Sequence, residues 1–171
     1  MGAQSADSDD LLPPAVARLG ADRTAVYRLD VIGVDTADVV RSAGGWLFDR
    51  AMAGWDVQVT LTRPGDLRPL QILGLRTGDR RDESVAVAAA GELSGRVQAA
   101  LRRGRTEVTV WNAGRLTALV PVRHVLSAAA CAFKAQALAA AGLDPAGVHP
   151  AEVFHGGNRS LLVVPSDLTA I

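Results

Sequence analysis

The stretch at residues 35–61, DTADVVRSAGGWLFDRAMAGWDVQVTL, reads as one helix running into one strand, and the fold follows from it. Val40, Ala43, Gly44, Leu47, Phe48 and Ala51 recur at spacings of three and four, with Asp38, Arg41, Ser42, Gly45 and Asp49 opposite. That pattern predicts an amphipathic helix over about residues 36–53. Asp35 or Thr36 can accept from its first free N–H groups, Asp38 suits the positive end of its dipole, and Gly54 stands where a left-handed terminator is wanted. Glycine costs ~1 kcal/mol in a helix interior, so Gly44 on the apolar stripe predicts a close approach by another segment. Gly45 has no such rationale. Beyond the helix, Val57, Val59 and Leu61 alternate with Gln58, Thr60 and Thr62, a strand with one face buried.

Upstream, residues 27–34 alternate in the same way through Tyr27, Leu29 and Val31, which completes a β-α-β unit. The joint AGWDVQV at 53–59 resembles the helix–strand joints of Rossmann-like proteins, including nucleotide-sugar transferases; the likeness covers this one unit and implies no activity. Downstream, Leu70, Ile72, Leu73 and Leu75 form an apolar run of strand length, read as a central strand. Residues 84–90 fit either strand or helix, and a helix is expected over about 91–103, closed by Gly104. Residues 107–111 and 116–122, joined by Asn112-Ala113-Gly114-Arg115, predict a hairpin that makes the sheet mixed. A further helix is expected over 123–141, and a second hairpin around Gly156-Gly157-Asn158. The expected fold is a single α/β domain over 23–171, a mixed sheet with helices packed mainly on one face in two layers. A disordered tail is expected over 1–22, where Pro13-Pro14 interrupts any helix.

Composition narrows the function classes. With 171 residues, 49% hydrophobic and 21% charged, the chain can bury a substantial core. A formal charge of zero gives no global field to draw nucleic acid or an acidic membrane. All of its 18 basic residues but Lys134 are arginine, a bias seen in high-GC bacterial genomes. Cys131 is the single cysteine and, in an alanine-rich helix, acts as a small hydrophobe. The acidic start MGAQSADSDD is unlike a signal peptide, and no uncharged run of membrane-spanning length occurs, so a cytoplasmic protein with no membrane insertion is expected.

No catalytic motif stands out. His124, His149 and His155 share no helical face with a carboxylate or thiol cluster, so no metal is expected, and the phosphate-binding glycine loops that would announce a nucleotide cofactor are absent. The leading expectation is a non-catalytic binding or regulatory protein, acting on a protein partner or as a homo-oligomer through an apolar surface with Trp46 beside Arg50, and Trp111, among its anchors. The alternative is a small-molecule or nucleotide-binding enzyme using the turn His155-Gly156-Gly157-Asn158-Arg159-Ser160, where His155 suits proton transfer and Asn158 and Arg159 suit an anion. Asp35, at the end of the first strand, stands where an α/β sheet places a ligand carboxylate, although helix capping explains it as well. Third, and unfavoured, is nucleic-acid binding by an edge of Arg76, Arg80, Arg81, Arg102, Arg103 and Arg105 with Trp111 exposed beside it, since neighbouring acids neutralise much of that charge.

Overall fold

A computed structural model describes residues 27–63, 65–78, 85–91, 95–104, 106–113, 119–157 and 167–171. The expected tail at 1–22, the residues Arg80, Arg81 and Arg105, and Asn158 to Ser160 of the glycine turn lie outside these residues. The quoted stretch forms what its periodicity predicts. Strand β1 (Arg28–Gly33) leads into helix α1 (Thr36–Met52), which returns to strand β2 (Asp56–Leu61), parallel to β1 with Leu29 opposite Val57 and Val31 opposite Val59. Asp35 caps α1 by accepting the Asp38 N–H at 2.8 Å, and Gly54 follows with φ +90°.

The remaining described elements are α2 (Arg68–Ile72), β3 (Arg76–Thr77), β4 (Ala86–Ala90), α3 (Gly95–Arg103), β5 (Glu107–Trp111), β6 (Val120–Val125), α4 (Ala128–Ala140), a 3₁₀ turn at Pro145–Gly147, β7 (Ala151–Gly157) and β8 (Thr169–Ala170). They build one mixed eight-stranded sheet in the order β3-β2-β1-β4-β5-β7-β6-β8. Its first five strands are parallel, and β7, β6 and β8 extend it antiparallel. Alternate residues of each strand supply two cores. Leu29, Val31, Val57, Val59, Ala86, Ala88, Trp111, Val122 and Phe154 meet α1, α2 and α4, while Val87, Ala89, Val108 and Val110 meet α3 on the other face. Helices thus lie mainly on one face. The central strand β4, covered on both, reads AVAAA without polar alternation, as a doubly buried parallel strand should.

Four local expectations are corrected. The apolar run at 70–75 is no central strand: Pro69 opens α2 in its first turn, and only the two-residue edge strand β3 follows. The chain at 123–125 continues β6, with His124 inward between exposed Arg123 and Val125, so α4 starts only after the Ser127 cap. β5 and β6 do not form a hairpin, because β7 inserts between them and pairs with both. The ambiguous residues 86–90 are strand.

The two glycines of α1 exchange roles. A Cβ on Gly45 would lie 2.1 Å from Leu126 Cδ2 and 3.1 Å from its Cγ, whereas one on Gly44 meets only the tip of Leu73, at 3.2 Å. Both are buried, because α4 and the start of β7 cover the face of α1 that the sequence pattern leaves to solvent. Gly45→Ala should therefore destabilise the protein by about 1–3 kcal/mol through overpacking, while Gly44→Ala stays within about 1 kcal/mol of the parent. Equal denaturant midpoints for the two variants would place the tight contact elsewhere.

Candidate functional site

The carboxyl ends of the parallel strands are where an open α/β sheet presents its loops, and the order of strands reverses between β1 and β4. A belt of polar side chains rings the start of α1 at this end. Asp35, besides capping, accepts from Arg63 Nη2 at 2.6 Å. Asp38 accepts from Trp111 Nε1 at 3.2 Å and Asn112 Nδ2 at 2.9 Å, and Asn112 Nδ2 also donates to Ser42 Oγ at 3.2 Å. Asn112 adopts φ +52°, a left-handed conformation that asparagine tolerates better than most residues, and this turns its amide back onto α1.

Ser42 is also the first wall of a cavity of about 460 Å³. Its floor is an ion pair between two nearly fully buried residues, Lys134 of α4 and Glu152 of β7. Strand alternation sends Glu152 inward with Phe154 and leaves Val153 outside. Helical spacing puts Lys134 on the stripe Ala130, Lys134, Ala137, Leu138 that faces the core. Glu152 reaches into the third turn of α1, where Oε1 accepts the Gly45 N–H at 2.9 Å and Oε2 the Trp46 N–H at 2.8 Å. Lys134 Nζ donates to the Arg41 carbonyl at 2.8 Å and to Glu152 Oε1. The Glu152 carboxylate is thus fully engaged by three N–H groups. An ammonium carries three donors and two are used, so one N–H of a buried lysine has no acceptor among the described residues. Arg41, whose guanidinium makes no ion pair with a described residue, stands at the same cavity with Asp144 and His149. Leu138 and Leu143 supply its apolar side chains.

At the opposite end of α1, the polar groups serve the fold, with Arg50 Nη1 the buried donor left without a hydrogen-bond partner among the described residues. Arg50 is buried between the rings of Trp46 and Trp55, at 5.1 and 4.1 Å from their centroids, and bonds to Asp167 and Glu107. Ser127, His124 and Asp49 look at first like a hydrolytic triad, but the order is wrong. Asp49 lies between the other two, accepting from Ser127 Oγ at 2.6 Å and contacting His124 Nε2 at 2.8 Å, so no imidazole faces the hydroxyl. Burial raises the Asp49 carboxyl, yet the bonds from Ser127 and His124 outweigh it and hold its pKa below the ordinary value.

The residues singled out from sequence separate into different places. Asp35 is a cap in an ion pair, Trp46 and Arg50 belong to the buried cluster at the far end, and Trp111 is core. His155 is half-buried in β7, opposite Val110 of β5, and its strand parity directs it away from the cavity. Trp111 does point away from Val108 and Val110, but the face it enters is the larger core, so it is not the exposed aromatic of an arginine edge. Arg102 and Arg103 are exposed on α3, under the other face of the sheet. What sequence reading missed is the pair Lys134–Glu152. Its signal was there: the one lysine of the chain lies on an apolar helical stripe, and the one acid of β7 shares parity with a buried phenylalanine.

No family model and no curated protein matches the chain. A solved structure, the crystal structure of a deacetylase triple mutant (Orf2*T) involved in the teicoplanin biosynthetic pathway, is similar at 12% identity and a TM-score of 0.48, over 75% of this chain and 97% of that one. The expectation of a non-catalytic protein acting through an apolar surface is corrected by the burial of its anchors: Trp46 and Trp111 are at most 2% exposed, and Trp55 is half-buried against Arg50 and Tyr27. Among the described residues, no helix is long and apolar enough to cross a membrane, and no three His, Cys, Asp or Glu side chains are grouped to hold a metal ion.

The depressed Asp49 makes a pH prediction. A carboxyl lowered in the folded state contributes stability that is present above its ordinary value of 3.8 and is lost as pH falls through the folded value. Ser127→Ala removes both the α4 cap and a bond to Asp49, so it should cost about 1 kcal/mol at neutral pH and raise the midpoint of acid unfolding. Melting both proteins from pH 2 to 7 checks this; a constant difference across the range would mean that Asp49 does not titrate with folding.

Proposed function

We propose that the chain is a small-molecule enzyme of the α/β class whose ligand occupies the cavity above Lys134 and Glu152. The observation that carries this reading is the uncommitted N–H of a buried lysine at a 460 Å³ cavity, within the size range of small-molecule sites. Holding a cation in the interior is costly unless its donors are used, and a ligand oxygen completes the set. The same N–H is suited to stabilising charge that develops on that oxygen, because Glu152 and the Arg41 carbonyl already fix the ammonium in place. His149 at the cavity wall supplies the side chain best suited to proton transfer near neutral pH.

This keeps the small-molecule alternative and moves its site. His155 does not line this cavity, and Gly156 and Gly157 border only a space of about 20 Å³, roughly one water molecule.

Gly147 is exposed, lines the cavity and has open space where a Cβ would go, so Gly147→Trp should narrow it without disturbing the core. Thermal melts of parent and variant against a panel of small carboxylates, phosphates, sugars and amides test the reading. At saturating ligand the parent should gain roughly 2 °C or more with at least one class, and the variant should lose that gain. A parent that responds to nothing, or a variant that responds equally, would remove the cavity as the site.

The pair itself gives a second expectation. Lys134→Met leaves Glu152 buried without its cation and should cost about 3–5 kcal/mol, whereas Lys134→Met/Glu152→Gln should recover part of that loss. Urea unfolding of the single and double variants measures the coupling; simple additivity would show that the two side chains are not held as a pair.

A further inference from the structure

We infer that the ligand of this cavity is a compact monocarboxylate with a short aliphatic body. The inference rests on the small-molecule reading above and goes further by naming the chemical class. Three observations converge on it.

First, the uncommitted groups at the cavity are donors. Arg41 has no ion-pair partner among the described residues, and Lys134 has one N–H to spare. The acids there are differently placed. Glu152 is engaged by three N–H groups, and Asp144 Oδ1 accepts the Ala146 N–H at 2.9 Å as the cap of the 3₁₀ turn. An acceptor with two oxygens suits an ammonium and a planar guanidinium together, and a carboxylate has that shape.

Second, the charge count disfavours a highly charged ligand. Arg41 and Lys134 are balanced in number by Asp144 and Glu152, so there is no surplus of positive charge to hold a phosphate dianion, and a monoanion seated directly at the two donors adds the least charge.

Third, the wall beyond these charges carries aliphatic side chains. Leu138 and Leu143 line the same space, which gives a short hydrocarbon body an apolar surface. The described lining contains no Phe, Tyr or Trp ring on which a nucleobase would stack.

Three six-carbon molecules of different charge and inorganic phosphate decide the matter: hexanoate, hexanamide, hexylamine and phosphate, each titrated into the full chain and followed by methyl NMR at Leu138 and Leu143. Hexanoate should shift these methyls with an affinity at least ten-fold above that of hexanamide, and hexylamine and phosphate should bind more weakly still. Arg41 is exposed, so Arg41→Gln should fold as the parent does and lose about ten-fold in hexanoate affinity, with its affinity for hexanamide unchanged. Hexanamide binding as tightly as hexanoate, or phosphate binding more tightly, would overturn the carboxylate assignment and leave the small-molecule reading intact. The absence of any response to hexanoate would overturn it too, and a response to another class in the wider thermal panel would then separate its failure from that of the cavity itself.

Discussion

One carboxylate decides how this molecule is put together. Glu152 stands on β7, in the antiparallel extension of the sheet, yet both its oxygens are bonded to main-chain N–H groups of α1, the crossover helix of the parallel half. Lys134 of α4 joins the same carboxylate to the Arg41 carbonyl, four residues before the Gly45 N–H that Glu152 holds. Three elements therefore meet at two side chains. The approach is close enough that α1 has no room for a side chain at Gly45, where Leu126 fills the space a Cβ would take. An ion pair placed this deep seldom adds net stability over apolar packing of the same volume, because both charges must be stripped of water. Its effect is on register: only one rotation of α1 and one of α4 brings these donors onto these oxygens.

The pair also explains why the cavity lies beside the parallel strands rather than over them. Asp35, Asp38, Asn112 and Trp111 close off the start of α1 with bonds among themselves, so the space at the carboxyl end opens next to that belt, past Ser42. Arg50, Asp167, Glu107 and two tryptophan rings seal the other end of the same helix. Most polar groups at both ends of α1 are thus spent on holding it, with Arg50 Nη1 left buried between the rings, and the donors left over at the cavity are Arg41 and Lys134.

What the sequence made legible was local. The periodicity of 36–53, the Asp35 cap and the alternation of β1 and β2 depend on neighbours a few residues apart, and they are found where the pattern puts them. Errors arise where distant segments decide. Residues 107–111 and 116–122 look like two arms of a hairpin, but β7, some forty residues later, outcompetes that pairing and separates them. Gly45 looks unemployed because its neighbour Leu126 is 81 residues away. The tryptophans misled for a related reason: a large aromatic with a donor suits an interface or a core equally, and here Asp38 and Asp167, remote in sequence, satisfy the indole N–H groups of Trp111 and Trp46 inside the protein. Lys134 and Glu152 are the instructive case. Each breaks an apolar pattern, and two such breaks in one chain are a pair waiting to be matched.

The outer strands of the sheet have a consequence for behaviour at high concentration. Among the described residues both are two residues long: β3 carries the exposed Arg76, and both residues of β8 are exposed. A longer strand at either rim would expose a row of unpaired amides and carbonyls on which another chain could grow. Here the hydrophobic strands β1 and β4 are enclosed in the middle, each paired on both sides. The strands richest in apolar residues on both faces are in this way kept from edge-to-edge contact with another molecule.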